Sequence, residues 1–157
     1  METRPTTDRV KEALFSIIQF DIEGRKVLDL FAGTGSVSYE FASRGAKSVT
    51  SVEINAVHHA FIRRTAKELG ADNLFAVKAN AFLYLRSCPK QFDIVFSDAP
   101  YDLEGLDEIV PLVLDGDLLK EEGIFIFEHS DKYNFSNHPN FWQLRSYGSV
   151  QFSMFRK

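Results

Sequence analysis

Val27-Leu28-Asp29-Leu30-Phe31-Ala32-Gly33-Thr34-Gly35 decides the fold of this chain. Its first five residues form a short, nearly continuous apolar run, the pattern of a strand buried on both faces. The glycines then allow a sharp turn into a helix from about Ser36 to Ser43, which Arg44-Gly45 stops. Outward from this unit the pattern repeats. Ser48 to Ile54, Leu74 to Val77, Phe92 to Ser97 and Ile124 to Phe127 read as strands. Between them, Asn55 to Leu69, Ala81 to Leu85 and Leu106 to Leu114 read as helices. Before them, Thr7 or Asp8 caps a helix that brings Val10, Leu14, Ile17 and Ile18 to one face. After them, Trp142 to Tyr147 and Val150 to Phe155 flank Gly148 with no helix between, which predicts an antiparallel hairpin. Alternating strands and helices predict an α/β domain whose central sheet is mainly parallel, with helices on both faces and the C-terminal hairpin added at one edge.

The 157 residues fit one domain spanning 1–157, with residues 1–20 as an N-terminal helical segment over the site. A hydrophobic share of 45% and a charged share of 25% are those of a folded soluble chain. The single cysteine, Cys88, excludes an internal disulfide and a Cys-rich zinc site, so a reducing, cytoplasmic setting is expected. No apolar stretch is long enough to span a bilayer, and Met1 to Pro5 shows no signal-peptide pattern. Eighteen Lys and Arg against 22 Asp and Glu leave a net charge of −4. Binding to nucleic acid chiefly by counterion release would call for a basic chain; any such partner here needs a local patch and a shaped pocket.

In open sheets of this kind ligands bind beyond the carboxyl ends of the strands. The Gly33-Thr34-Gly35 turn brings backbone close to a ligand there, and Glu53, twenty positions after Gly33, ends the next strand where it can accept from ribose hydroxyls. Dinucleotide sites and S-adenosylmethionine (SAM) sites share this pair. A dinucleotide site wants a third glycine where this chain has Ser38, which favours a ligand without a pyrophosphate. Asp98-Ala99-Pro100-Tyr101 follows the fourth strand. An exocyclic base amine is a poor nucleophile, because its lone pair is delocalised into the ring. It reacts with a methyl donor only when its N–H bonds are held by acceptors. The Asp98 carboxylate and the Ala99 carbonyl supply two acceptors, Pro100 stiffens them, and Tyr101 offers a face for the base to stack on.

Arg4-Pro5-Thr6-Thr7-Asp8-Arg9-Val10-Lys11-Glu12-Ala13-Leu14-Phe15, the Val27–Gly35 stretch and Phe92 to Tyr101 together make the chain similar to the RsmD-type bacterial methyltransferases. That resemblance implies a Rossmann-like class I SAM-dependent methyltransferase fold and methyl transfer to the N2 amine of a guanine in small-subunit ribosomal RNA. It implies a SAM site at Asp29, Phe31, Gly33, Gly35, Glu53, Asn80 and Ala81, a catalytic clamp at Asp98, Ala99, Pro100 and Tyr101, and substrate contacts from Arg4, Asp8 and Arg9. The family usually has two prolines where this chain has Ala99-Pro100, and an acid where it has Asn80, whose carbonyl is expected to accept from the adenine amine. The implied partner is structured RNA within a small-subunit particle; no membrane or metal is expected, and a monomer is. Adjacent His58 and His59 point in different directions on a helix and do not suit a metal. Glu128-His129 reads as structural. A nicotinamide-dependent enzyme and a non-catalytic RNA-binding assembly factor remain the alternatives, which binding of S-adenosylhomocysteine against NAD separates.

Overall fold

The computed structural model describes residues 8–88 and 90–157. Seven strands form one sheet: β1 Lys26–Leu30, β2 Ser48–Val52, β3 Leu74–Val77, β4 Phe92–Asp98, β5 Leu119–His129, β6 Phe141–Tyr147 and β7 Val150–Arg156. The order is β3-β2-β1-β4-β5-β7-β6, parallel through β5 and antiparallel for β7 and β6. Helices α1 Asp8–Ile18, α2 Ser36–Ser43 and α3 Ala56–Leu69 pack on one face. Helices α4 Ala81–Ser87 and α5 Ile109–Leu114 pack on the other.

Each face buries its own apolar cluster. Leu14 and Phe15 of α1, Phe41 of α2 and Ile62 of α3 meet Val27, Val49, Ile94 and Phe96. Leu85, Val110 and Val113 meet Leu28, Leu30, Val95 and Phe125 on the far side. Strands covered twice need apolar residues at successive positions, so the runs read from the sequence do not alternate. Phe15 and Phe41 meet edge to face with centroids 4.7 Å apart, joining α1 to α2.

Two elements differ from expectation. Strand β5 starts at Leu119, five residues earlier than the apolar run. Leu119 pairs with Phe92, the ladder bulges, and pairing resumes at Ile124 opposite Ile94, with Glu122 at φ 71°. The polar Lys120-Glu121-Glu122-Gly123, outside the expected strand, is a bulge inside the observed one. The helix expected over Leu106–Leu114 begins as a 3-10 turn, Leu106–Glu108, before α5; Pro111 then sits in the first turn of α5, where its missing N–H costs nothing. Among the described residues no helix is long and apolar enough to cross a membrane.

Candidate functional site

The chain runs outward from β1 to β2 to β3 and then returns to the other side of β1 for β4. The reversal opens a crevice at the carboxyl ends of β1 and β4, where the Gly33 turn and Asp98 lie on neighbouring strands; Leu30 and Ser97 are in register.

The turn after β1 holds three residues in the left-handed region: Phe31 (φ 58°), Gly33 (φ 59°) and Gly35 (φ 88°). A phenylalanine there is strained, and such strain collects at functional sites. The two glycines serve different ends. A Cβ on Gly35 would meet Ile62 Cγ1 and Tyr39 Cζ, each at 3.1 Å, so this glycine lets α2 and α3 close up. A Cβ on Gly33 would meet nothing within 4 Å. Gly33 therefore faces open space, and its N–H donates to Glu53 Oε1 at 2.7 Å. The other oxygen of Glu53 accepts from the Asn55 N–H at 2.9 Å. A carboxylate has further lone pairs, so Glu53 can hold both loops and still accept from a diol.

Asp29, expected to line the cofactor, lies instead beneath the turn. It is 1% exposed, and Ser38 Oγ donates to its Oδ2 at 2.6 Å. Ser38 also shares a 2.5 Å hydrogen bond with Ser51 Oγ, so one buried hydroxyl ties β1, α2 and β2 together. The sequence reading treats position 38 only as a missing glycine; a serine at an inward helix position was the signal for this network. Burial pushes the Asp29 carboxyl up to about 7; the Ser38 bond opposes the rise, and the negative charges of Asp98 and Glu53 reinforce it. Unfolded, the group titrates near 3.8. Between these values the folded chain keeps a proton that the unfolded chain has lost. This contribution to stability is full below pH 4 and declines as pH rises to about 7. Asp29→Asn removes that decline: urea unfolding at pH 5 and pH 8 is expected to show the variant gaining about 2–4 kcal/mol on the wild type across the interval.

Around the open side stand Phe31, edge-on to Phe82 at 6.4 Å, and Ile54, which is 58% exposed. Ile54 went unnoticed in the sequence because it looks like the last residue of a buried strand, whereas β2 ends at Val52. Ile54 follows Glu53 directly and leaves an apolar side chain in water at this side of the turn. Asn80 caps α4, with its Oδ1 accepting from the N–H groups of Phe82 at 2.9 Å and Leu83 at 3.2 Å. The expectation that this carbonyl meets an adenine amine is thus corrected: both of its lone pairs are engaged. Ala81, at the start of α4, is 5% exposed.

Asp98 ends β4, half-buried, on the sheet face that Phe96 shares with Asp29. Ala99 is buried in the cluster under α5; Pro100 and Tyr101 are half-buried at the rim, and the Leu103 N–H closes a turn onto the Pro100 carbonyl at 3.0 Å. Glu128, buried, pairs in register with Asp98 from β5. His129 is fully buried, its ring nitrogens 2.7 Å from the Ser130 carbonyl and 2.6 Å from Ser153 Oγ, and burial lowers its pKa, as suits a structural imidazole. Asp8 and Arg9 are exposed in the first turn of α1. Next along, Lys11 Nζ donates to Ser36 Oγ at 3.0 Å, which docks α1 beside the Gly35 turn. Arg4 lies outside the described residues. Among the described residues no group of three or more His, Cys, Asp or Glu is placed to hold a metal.

The likeness to known proteins follows the same outline. The ribosomal RNA small subunit methyltransferase D of Escherichia coli strain K12 is 32% identical over 158 aligned positions, covering 98% of this chain and 79% of that protein. The solved structure of yhhF from Escherichia coli, 29% identical, superposes with a TM-score of 0.89 over 98% of this chain and 87% of its own. The 16S rRNA N2 G1207 methyltransferase of Thermus thermophilus, solved with AdoMet and guanosine, is 22% identical and shares the fold, with a TM-score of 0.78 over 99% of this chain and 44% of its own. Residues 1–156 match the family described as Conserved hypothetical protein 95, and with that match the resemblance to RsmD-type proteins becomes membership: the chain belongs to this family.

Proposed function

We propose that this chain is a one-domain, cytoplasmic, monomeric methyltransferase that modifies the N2 amine of a guanine in small-subunit ribosomal RNA, using SAM and no metal. One observation carries the reading: an open glycine cradle and an Asp-Ala-Pro-Tyr clamp end neighbouring strands at the point where the strand order reverses. The name borne by the Escherichia coli relative supports it.

The residues present fit an adenosyl ligand. Gly33 leaves room where a Cβ would intrude, Glu53 offers acceptors for ribose hydroxyls, and Ile54, Phe31 and Phe82 offer apolar walls. SAM supplies an electrophilic methyl on a sulfonium. Asp98 holds one N–H of the guanine amine and the Ala99 carbonyl the other, which aims the nitrogen lone pair at the methyl carbon. With SAM bound, Asp98 would accept the proton that the amine gives up on methylation and pass it to water. An aspartate of ordinary basicity does not deprotonate the amine beforehand, so alignment supplies most of the rate. Tyr101 stacks on the base, which must leave its pairing to enter. Asp8 and Arg9 cover the acceptor.

Small-subunit particles from a strain lacking this protein are the test. Incubation with the purified chain and methyl-labelled SAM is expected to place label on one guanine as N2-methylguanine, located by mapping the modified base. Label on an adenine or cytosine amine, or no label, overturns the proposal.

A further inference from the structure

Charge is divided between the two halves of the sheet. Residues 1–90, from which β1 to β3 and helices α1 to α4 are drawn, contain 13 Lys and Arg against 10 Asp and Glu. Residues 91–157, which supply β4 to β7 and α5, contain 5 against 12. Asp98 stands at the border, since β4 adjoins β1. A polyanion whose target base enters at Asp98 is repelled on the side of β5 and α5. It is drawn the other way, across the ends of β1 and β2 toward β3.

At β3 the surface suits phosphates. This is the outermost strand, so along its outer edge the backbone pairs with no other strand. Arg63 and Lys67, one turn apart on α3, line a groove against Leu74, Phe75 and Ala76 of that strand. Both cations are exposed, and among the described residues neither is in a salt bridge. Arg64, between them in sequence, turns away: its guanidinium lies 5.5 Å from the centre of the Phe61 ring, on the flank of α3 that faces α2. His59 Nε2 lies 3.4 Å from the Ala76 carbonyl oxygen and covers an acceptor that would repel a phosphate. Lys78 follows β3 directly and is exposed at the crevice end of the same edge. Phe75, 54% exposed, offers a ring on which a base can stack. Asp72 is the single acid that lines the groove among the described residues. At about 4.8 Å per strand, β3 is about 14 Å from β4, a span of about four stacked nucleotides.

We propose that the groove between α3 and the outer edge of β3 docks the phosphate backbone of the RNA that carries the target guanine, with Arg63 and Lys67 as its phosphate contacts. This deepens the ribosomal RNA reading given above and rests on it. It accounts for how a chain of net charge −4 holds a polyanion: the cations are gathered on the side that the RNA crosses. Contacts of this kind fix the position of the RNA and carry no sequence information, so the choice of base stays with the clamp at Asp98.

Filter binding of the full chain to small-subunit particles from a strain lacking this protein, and to protein-free small-subunit RNA, over a range of salt concentrations tests this. Arg63→Gln/Lys67→Gln, with its melting temperature within a few degrees of wild type, is expected to bind both about tenfold to a hundredfold more weakly at low salt. Its slope of log affinity against log salt is expected to be shallower by about two. Arg63→Lys/Lys67→Arg keeps both charges and is expected to keep the wild-type slope. Lys120→Gln/Arg145→Gln removes as much charge from the acidic half and is expected to leave affinity within about twofold of wild type. The groove is overturned as the docking surface when Arg63→Gln/Lys67→Gln leaves the slope unchanged, or when the two neutralised pairs weaken binding alike. Weakened binding to particles with unchanged binding to protein-free RNA also overturns it, and places a ribosomal protein there instead. A wild type that binds neither particles nor RNA removes the RNA reading itself, and the groove with it.

Discussion

Asp98→Ala is expected to lower methyl transfer at least about a thousandfold while S-adenosylhomocysteine binds within a few-fold of wild type. The separation follows from where the residue sits. Asp98 ends β4, with β1 between it and Glu53 at the end of β2, so on the proposed reading its loss removes an acceptor for the base while the Glu53 contacts of the cofactor stay in place. Single-turnover transfer with labelled SAM reads the first quantity and calorimetry the second. Transfer by the variant within tenfold of wild type would take Asp98 out of the mechanism. The same substitution carries an internal check. The Asp98 charge helps raise the Asp29 carboxyl, so its removal is expected to lower the pH at which the Asp29 contribution to stability fades.

Gly33→Val is expected to abolish detectable cofactor binding, a loss of a hundredfold or more, with only a modest loss of stability. A valine side chain at φ 59° costs about 1–3 kcal/mol in backbone strain. Its Cβ meets no protein atom within 4 Å; on the proposed reading, the space it enters is where the ligand sits. Gly35→Ala provides the contrast. There a Cβ presses on Ile62 and Tyr39, so the damage is expected in the melting temperature before it is seen in binding. A Gly33→Val variant that binds S-adenosylhomocysteine like wild type would mean that the ligand lies elsewhere.

The parts of the fold that the sequence disclosed are those where local chemistry and tertiary demand agree. Val27 to Leu30 lies under helices on both sides and is apolar but for Asp29; Gly70 ends α3 in the left-handed conformation that suits glycine; Gly148 and Ser149 turn the hairpin. The start of β5 was hidden because a bulge needs the same polar and glycine residues as a turn. The strand-end placement of Glu53, the Gly33 turn and the Asp98 motif was legible from the strand pattern, and the structure has them there. Asp29, Ser38 and Asn80 were not legible, because each depends on partners distant in sequence or on which atom of a side chain is already in use. Asp29 looks like a site residue until its burial is known. Asn80 looks like an acceptor until the cap is seen.

Glu53 has a consequence for kinetics as well as for affinity. One carboxylate gripping the N–H groups of Gly33 and Asn55 braces two loops in advance, so a nucleoside arriving at the crevice meets walls already in place. Its capture should be a single bimolecular step, linear in ligand concentration and free of any slow closing phase. Glutamine at this position must turn an NH2 toward one of those amides, and the rigidity that makes capture prompt would go with it.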